Sequence, residues 1–211
     1  FESTVGNELA DIFFRPYTKK MWGVDPKELS INIGARLPVR NNNDTRYFND
    51  EFQALPKYGY TSIIEKMIDH KNIKISLNTN YSNGIEKDYS HSFLSVPIDE
   101  FFNFKYGELP YRSIIFENKR EIGEDLQSPV INFTDNSKYT RKTQWNLLPN
   151  SYGKNYKFNT ITFEIPCDMR DNPGEFYYPV HTKNSIHIYE LYKKLAKKYK
   201  KITFCGRTGL Y

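Results

Sequence analysis

Apolar residues recur at helical spacing through the first third of the chain and at alternating spacing afterwards. That change of period divides the sequence. Over residues 5–15, Leu9, Ile12 and Phe13 fall on one side of a predicted helix, which the restriction that Pro16 places on Arg15 should end. Asp25 then has the form of an N-cap, with Pro26 at the first helical position and Glu28 three residues after the cap. A second helix is predicted to begin there, with Arg36 near its end. The run Asn41-Asn42-Asn43-Asp44 has loop composition, since these residues favour turns and left-handed backbone. Thr61 or Ser62 caps a further helix through Ile63, Ile64 and Met67, ending before His70-Lys71-Asn72.

From Ile73 onward the period is that of strands. Ile73-Lys74-Ile75-Ser76-Leu77 alternates, turn residues Asn78 to Gly84 follow, and His91 to Val96 is a second strand candidate. Asp99 to Tyr106 reads as a short helix. Tyr111–Glu117, Pro129–Thr134, Tyr139–Trp145 and Asn159–Ile165 are strand segments separated by turn-rich connections, a spacing that argues for an antiparallel sheet. A helix from Asn184 to Tyr199, ridged by Ile188, Leu191, Tyr192 and Leu195, leads to a strand from Ile202 to Cys205 and the turn Gly206-Arg207-Thr208-Gly209. The predicted class is α+β.

Composition narrows the partners. No apolar run approaches the roughly 20 residues of a membrane helix, so no membrane is expected. Thirty Lys plus Arg against 25 Asp plus Glu leave +5, and the densest cluster, Lys193-Lys194, Lys197-Lys198 and Lys200-Lys201, reads as the solvated face of a helix rather than a nucleic-acid patch. Cys167 and Cys205 make neither a disulfide framework nor a zinc site, so a reducing cytoplasm is the default location. His70, His91, His181 and His187 show no metal spacing, and no metal is expected. Aromatic content is high at 16%, and Tyr suits both sugar recognition and β-sheet.

One segment mixes chemistries that a packing helix keeps apart. Between Phe13 and Gly23 the rings Phe13, Phe14, Tyr17 and Trp22 are interleaved with Arg15, Lys19 and Lys20. Rings stack on a base and cations meet phosphate, so the run suits a nucleotide site. An amphipathic helix with a proline kink explains the same residues, and the pattern alone leaves both readings open.

Several further pieces read together with this run: Asp25-Pro26-Lys27-Glu28-Leu29, Arg36 to Arg40, Arg46-Tyr47-Phe48, Phe52 to Thr61, Pro97 to Phe102, Tyr111-Arg112-Ser113, Tyr139-Thr140-Arg141, Tyr177-Tyr178-Pro179 and Gly206-Arg207. In that order and spacing they resemble the UDP-galactopyranose mutase family over nearly all of the chain. The resemblance implies a flavoenzyme, an isomerase that interconverts the pyranose and furanose forms of UDP-galactose or a related UDP-hexose for surface polysaccharide synthesis. In that reaction N5 of reduced FAD attacks the anomeric carbon.

The resemblance implies roles at matching positions. Phe13, Phe14, Tyr17, Thr18 and Trp22 would form the uridine pocket, with Tyr17 against uracil. Arg36 and Arg141 would clamp the diphosphate as charge develops on it, and Tyr47 and Tyr178 would give it hydroxyl donors. Asn132 would lie near the sugar, and Arg207 would touch the flavin. Family members also carry a glycine-rich dinucleotide turn before this region and continue past the Gly-Arg turn, and no G-x-G-x-x-G occurs here. The chain is thus expected to be a middle and later part of a mutase, inactive alone, with the missing FAD-binding segments as partners and FAD bound mostly by them. A homodimer is a further expectation by analogy. The implied division is a helical UDP-binding region at 1–70, strands of a Rossmann-like FAD-binding domain at 71–97, an antiparallel substrate domain at 98–182, and a helix–strand remnant of the FAD domain at 183–211.

Departures leave the sugar open. Lys142-Thr143-Gln144-Trp145-Asn146 follows Arg141 where the family favours an Ile-Glu-His-Lys-like stretch, Val96 and Pro16 stand where glycine is common, and Met21 stands where a polar residue often sits. A non-catalytic UDP-sugar-binding module and a flavin amine-oxidase relative are the alternatives.

Overall fold

The computed structural model describes residues 2–30, 40–44, 46–82, 84–149 and 156–211. Two short helices, α1 (Glu2–Val5) and α2 (Asn7–Leu9), are separated by Gly6, and a π-helical turn (Ala10–Phe14) leads directly into α3 (Arg15–Trp22). Pro16 therefore does not end the helix, contrary to the sequence pattern. The wider turn is the reason: the Arg15 N–H donates to the Ala10 carbonyl five residues back, so the ladder has already shifted register where a proline without an N–H enters. The helix stops at Gly23, left-handed at φ 71°, whose N–H donates to the Lys19 carbonyl at 2.8 Å.

Asp25 caps as expected, its carboxylate accepting from the Lys27 N–H at 2.9 Å. The long helix predicted after it is corrected. Among the described residues a 3₁₀ turn (Pro26–Glu28) stands at its start, because Leu29 is extended and the Ser30 N–H donates across to the His181 carbonyl at 3.0 Å. The position expected for Arg36 lies outside the described residues. Helix α4 (Gly59–Ile68) begins two residues before the expected cap. The predicted strand Ile73–Leu77 is also corrected: this stretch is irregular, Leu77 is 80% exposed, and among the described residues no strand pairs with it. Alternation without a partner has no ladder to join.

Strand β1 (Ser92–Leu94) pairs in parallel with β7 (Ile202–Phe204). Helix α5 (Ile98–Phe101) is half its predicted length, because Asn103 and Phe104 turn left-handed and the following loop is tied back by side chains. Asp99 accepts the Leu109 N–H at 2.8 Å, while the Tyr192 hydroxyl donates to the Gly107 carbonyl at 2.7 Å and accepts from the Tyr106 N–H at 2.9 Å.

The expected antiparallel sheet is present, formed by β2 (Tyr111–Glu121), β3 (Val130–Asn132), β4 (Arg141–Gln144), β5 (Asn159–Asp168) and β6 (Tyr178–Pro179) in the order β3-β4-β5-β2-β6. Strands β2 and β5 are longer than predicted, in register from Arg112↔Asp168 to Glu121↔Asn159. Pro166 is tolerated in β5 because it falls beyond the end of β4, where β5 is an edge on that side. Helix α6 (Lys183–Ala196) starts from a reciprocal Thr182–Ser185 capping box, and α7 (Gly206–Gly209) follows β7. The core lies where the parallel pair, α5 and α6 meet the start of β2, around Leu94, Ile98, Leu109, Tyr111, Tyr192 and Phe204. The far part of the sheet is held by polar groups instead. Buried Gln144 donates to Asp125 at 2.7 Å and accepts the Leu126 N–H at 2.9 Å, and the Trp145 indole donates to Thr162 at 2.7 Å.

Candidate functional site

Helix α3 lies against the sheet, and its packing sets the site. Thr18 is its buried residue, and two cations fix the helix end. The Arg112 guanidinium from β2 donates through Nε to the Met21 carbonyl at 3.0 Å and through Nη2 to the Lys20 carbonyl at 3.5 Å, taking up orphan carbonyls of the last turn. Gly23 is required beside it, since a β-carbon there would stand 2.8 Å from Arg112 Nη1. Burial draws Arg112 below the ordinary guanidinium value, and Cys167, Asp168 and Asp171 oppose that shift. From the helix side, Lys20 Nζ donates to the Tyr139 carbonyl at 2.7 Å and the Phe133 carbonyl at 3.2 Å, with Asp135 at 3.4 Å. Composition had set Lys20 among the cations available to phosphate; it is spent on backbone instead.

This docking gathers six of the predicted residues on one patch. Trp22 meets Tyr178 of β6 edge-on, with ring centres 5.9 Å apart. The Arg207 guanidinium stands 5.5 Å above the Tyr178 ring and donates to the Tyr177 carbonyl at 2.5 Å. Tyr17 reaches the same place from α3: burial raises its phenol above the ordinary value, Arg141 opposes that shift, and Glu164 and Tyr178 add to it. Register explains the rest. Asn132, Arg141 and Glu164 stand side by side across β3, β4 and β5, so Arg141 Nε donates to Asn132 Oδ1 at 3.2 Å and its Nη1 lies 3.5 Å from Glu164 Oε1.

The other predicted residues are placed differently. Phe13 is half-exposed on the π-helical turn and Phe14 is partly buried beside it. Tyr47 is half-exposed with its ring 4.8 Å from Phe48. Two residues that belong to the patch have no role from sequence, Arg112 and Glu164, and Lys20 has a different one from the phosphate contact its composition suggests. Arg112 stands in the quoted Tyr-Arg-Ser piece, and Glu164 shows only as a charged residue in a strand, so the register between strands is what reveals it. A separate cavity of about 300 Å³ lies beside α5, lined by Pro97, Asp99, Leu109, Tyr111, Met169 and Phe176 among others, and it includes none of the predicted site residues.

A family model described as UDP-galactopyranose mutase matches residues 12–211. The chain belongs to the UDP-galactopyranose mutase family. Among its relatives, a probable UDP-galactopyranose mutase of Klebsiella pneumoniae is 38% identical over 208 residues, which are 98% of this chain and 53% of that protein. A dTDP-fucopyranose mutase of Escherichia coli is 34% identical, covering 98% of this chain and 56% of its own length. A UDP-galactopyranose mutase of Mycoplasma genitalium is 30% identical over 94% of this chain and 52% of that protein. The chain thus spans about half the length of these relatives. The crystal structure of reduced UDP-galactopyranose mutase matches the fold with a TM-score of 0.68 at 15% identity, covering 99% of this chain and 60% of that one. Among the described residues no helix is long and apolar enough to cross a membrane, and no group of three His, Cys, Asp or Glu could hold a metal.

Proposed function

We propose that this chain is the nucleotide-binding part of a flavin-dependent mutase that interconverts UDP-galactopyranose and UDP-galactofuranose, or the two ring forms of a closely related nucleotide sugar. The observation that carries this reading is the convergence of Tyr17, Trp22, Asn132, Arg141, Tyr178 and Arg207 from five separate elements onto one patch. Tyr17 stacks on uracil with Trp22 at the edge of that pocket. Arg141 holds the diphosphate, aided by the Tyr178 hydroxyl and by Arg36, and a guanidinium suits this because its fixed fork matches two phosphate oxygens. Asn132 orients Arg141 and faces the sugar. As the bond to the anomeric carbon breaks, charge grows on the diphosphate, and a pre-placed Arg141 stabilises it.

FAD fits beside these residues. Arg207 follows the carboxyl end of the parallel pair β1–β7, where α/β sheets place cofactors, and its guanidinium rests on Tyr178, so Arg207 would hold the flavin edge next to the sugar. Reduced FAD, when bound, supplies the nucleophile, N5. The free cysteines Cys167 and Cys205 support a reducing cytoplasmic setting.

The E. coli relative matches nearly as closely as the Klebsiella one, so a dTDP sugar is the second reading. Calorimetric titration with UDP, dTDP and uridine tests both. UDP should bind more tightly than uridine, and Arg141→Ala should remove that advantage, roughly tenfold or more for a charge-assisted pair. Equal UDP binding by wild type and Arg141→Ala removes the diphosphate assignment, and preference for dTDP decides for the second reading.

A further inference from the structure

Arg112 and Lys20 stand in the midst of the patch yet have their donors turned away from it. Arg112 spends Nε and Nη2 on the Met21 and Lys20 carbonyls, and its Nη1 is packed against Gly23. Lys20 has three donors and three acceptors, the Tyr139 and Phe133 carbonyls and Asp135. Lys20 thus has its ammonium taken up, and both bonded donors of Arg112 go to backbone carbonyls. What they touch is informative instead. Phe133 adjoins Asn132, Tyr139 precedes Arg141 by two positions, and Arg112 is paired in register with Tyr178. Lys20 therefore clasps backbone close to Asn132 and Arg141, while Arg112, standing on the strand paired with Tyr178, clasps the end of α3. Lys20 belongs to both attachments, since its carbonyl accepts from Arg112 while its ammonium holds the β3–β4 connection.

We propose that Arg112 and Lys20 are positioning residues that set α3, and with it Tyr17 and Trp22, at one height and rotation over the strands bearing Asn132, Arg141 and Tyr178. The distance between the base-binding and phosphate-binding groups is fixed by these two bolts. Helix packing alone leaves such a separation adjustable, because side chains on a short helix can slide against a sheet; charge-assisted bonds to named carbonyls do not allow it. Gly23 is part of the device, because the guanidinium occupies the space a side chain would need.

The inference rests on reading the patch as a nucleotide site, so the test separates the two claims. Arg112→Ala, Lys20→Met and Gly23→Ala are titrated with UDP and with uridine, and their indole N–H resonances are compared with wild type. Each variant should weaken UDP, which spans both groups, roughly tenfold and uridine, which meets only the base pocket, by less, since each displaces the base pocket from the phosphate groups. The Trp22 indole resonance should move in all three, while that of Trp145, bonded to Thr162 at 2.7 Å, stays in place and reports an intact sheet. A variant that weakens UDP while the Trp22 resonance stays in place would show that its cation is a phosphate ligand, and the proposal would fall. An unmoved Trp22 resonance overturns it as well. If wild type binds neither nucleotide, the nucleotide reading fails, and the Trp22 resonance still decides whether the two cations place the helix.

Discussion

Replacing Glu164 with Gln should tighten UDP binding. The carboxylate lies 3.5 Å from Arg141 Nη1 and its side chain is only 14% exposed, so it competes with any phosphate for the same guanidinium from a poorly hydrated position. A phosphate on the open side of Arg141 would stand roughly 7 Å from that carboxylate. Unit charges at that separation repel by about 0.6 kcal/mol in bulk water and about 2.4 kcal/mol at an effective dielectric near 20. Removing the repulsion should therefore lower the dissociation constant by about 3-fold to about 60-fold. Arg141 should keep its aim, because Asn132 Oδ1 still accepts from its Nε at 3.2 Å and the amide oxygen of Gln can replace one carboxylate contact. Calorimetry with UDP and uridine at low and high salt is the assay. The gain should be confined to UDP and shrink with salt, since the Arg141 side is partly open to solvent. Weaker UDP binding by Glu164→Gln would refute the competition and make Glu164 the residue that aims Arg141; equal tightening of uridine would show a rearranged pocket.

Tyr192→Phe should cost roughly 2–3 kcal/mol, because the buried hydroxyl bonds both the Gly107 carbonyl and the Tyr106 N–H, and both are stranded without it. For a chain this long that lowers Tm by about 4–12 °C in calorimetry, whereas Tyr60→Phe, at a 68% exposed position, should leave it unchanged. A loss in Tyr192→Phe as small as that of Tyr60→Phe would contradict the anchoring of the 102–109 loop. Asp99→Asn should stabilise the protein near neutral pH: burial raises the Asp99 carboxyl, which bonds through Oδ2 only, so the folded state binds its proton more tightly than the unfolded chain. Wild-type stability is then lost as pH rises from the ordinary carboxylate value through the raised one, and urea unfolding from pH 3 to 8 should show the two proteins converge at the acid end. A variant advantage that does not grow with pH contradicts this.

Local signals in the sequence were followed where their partners were also local. Asp25 capped Lys27, and the antiparallel strands from Tyr111 to Ile165 formed from their alternation and turns. The long predictions failed where a distant group decided. Ile73–Leu77 alternates, but strand formation needs a neighbour that no pattern within those residues supplies. Helix α5 was cut short by Leu109 and Tyr192, ten and more than eighty residues away along the chain. Pro16 was misjudged because a π-helical turn depends on the hydrogen bond of Arg15, which composition does not reveal. At the site, rings and arginines were legible as chemistry, and the family resemblance supplied their roles. The cross-strand row of Asn132, Arg141 and Glu164 was not legible, since it exists only through register. Lys20 shows the limit of residue type as a guide: a cation among aromatic rings turned its charge to carbonyls.

Mapping UDP onto the folded chain by amide and indole resonances is the most direct measurement. Shifts should concentrate on the Trp22 indole and on residues 17, 132, 141 and 178, with Trp145 and the cavity beside α5 unaffected. Saturation by UDP with shifts confined to the Asp99 cavity, or with none on α3 and β4 together, would contradict a nucleotide site built between helix and sheet.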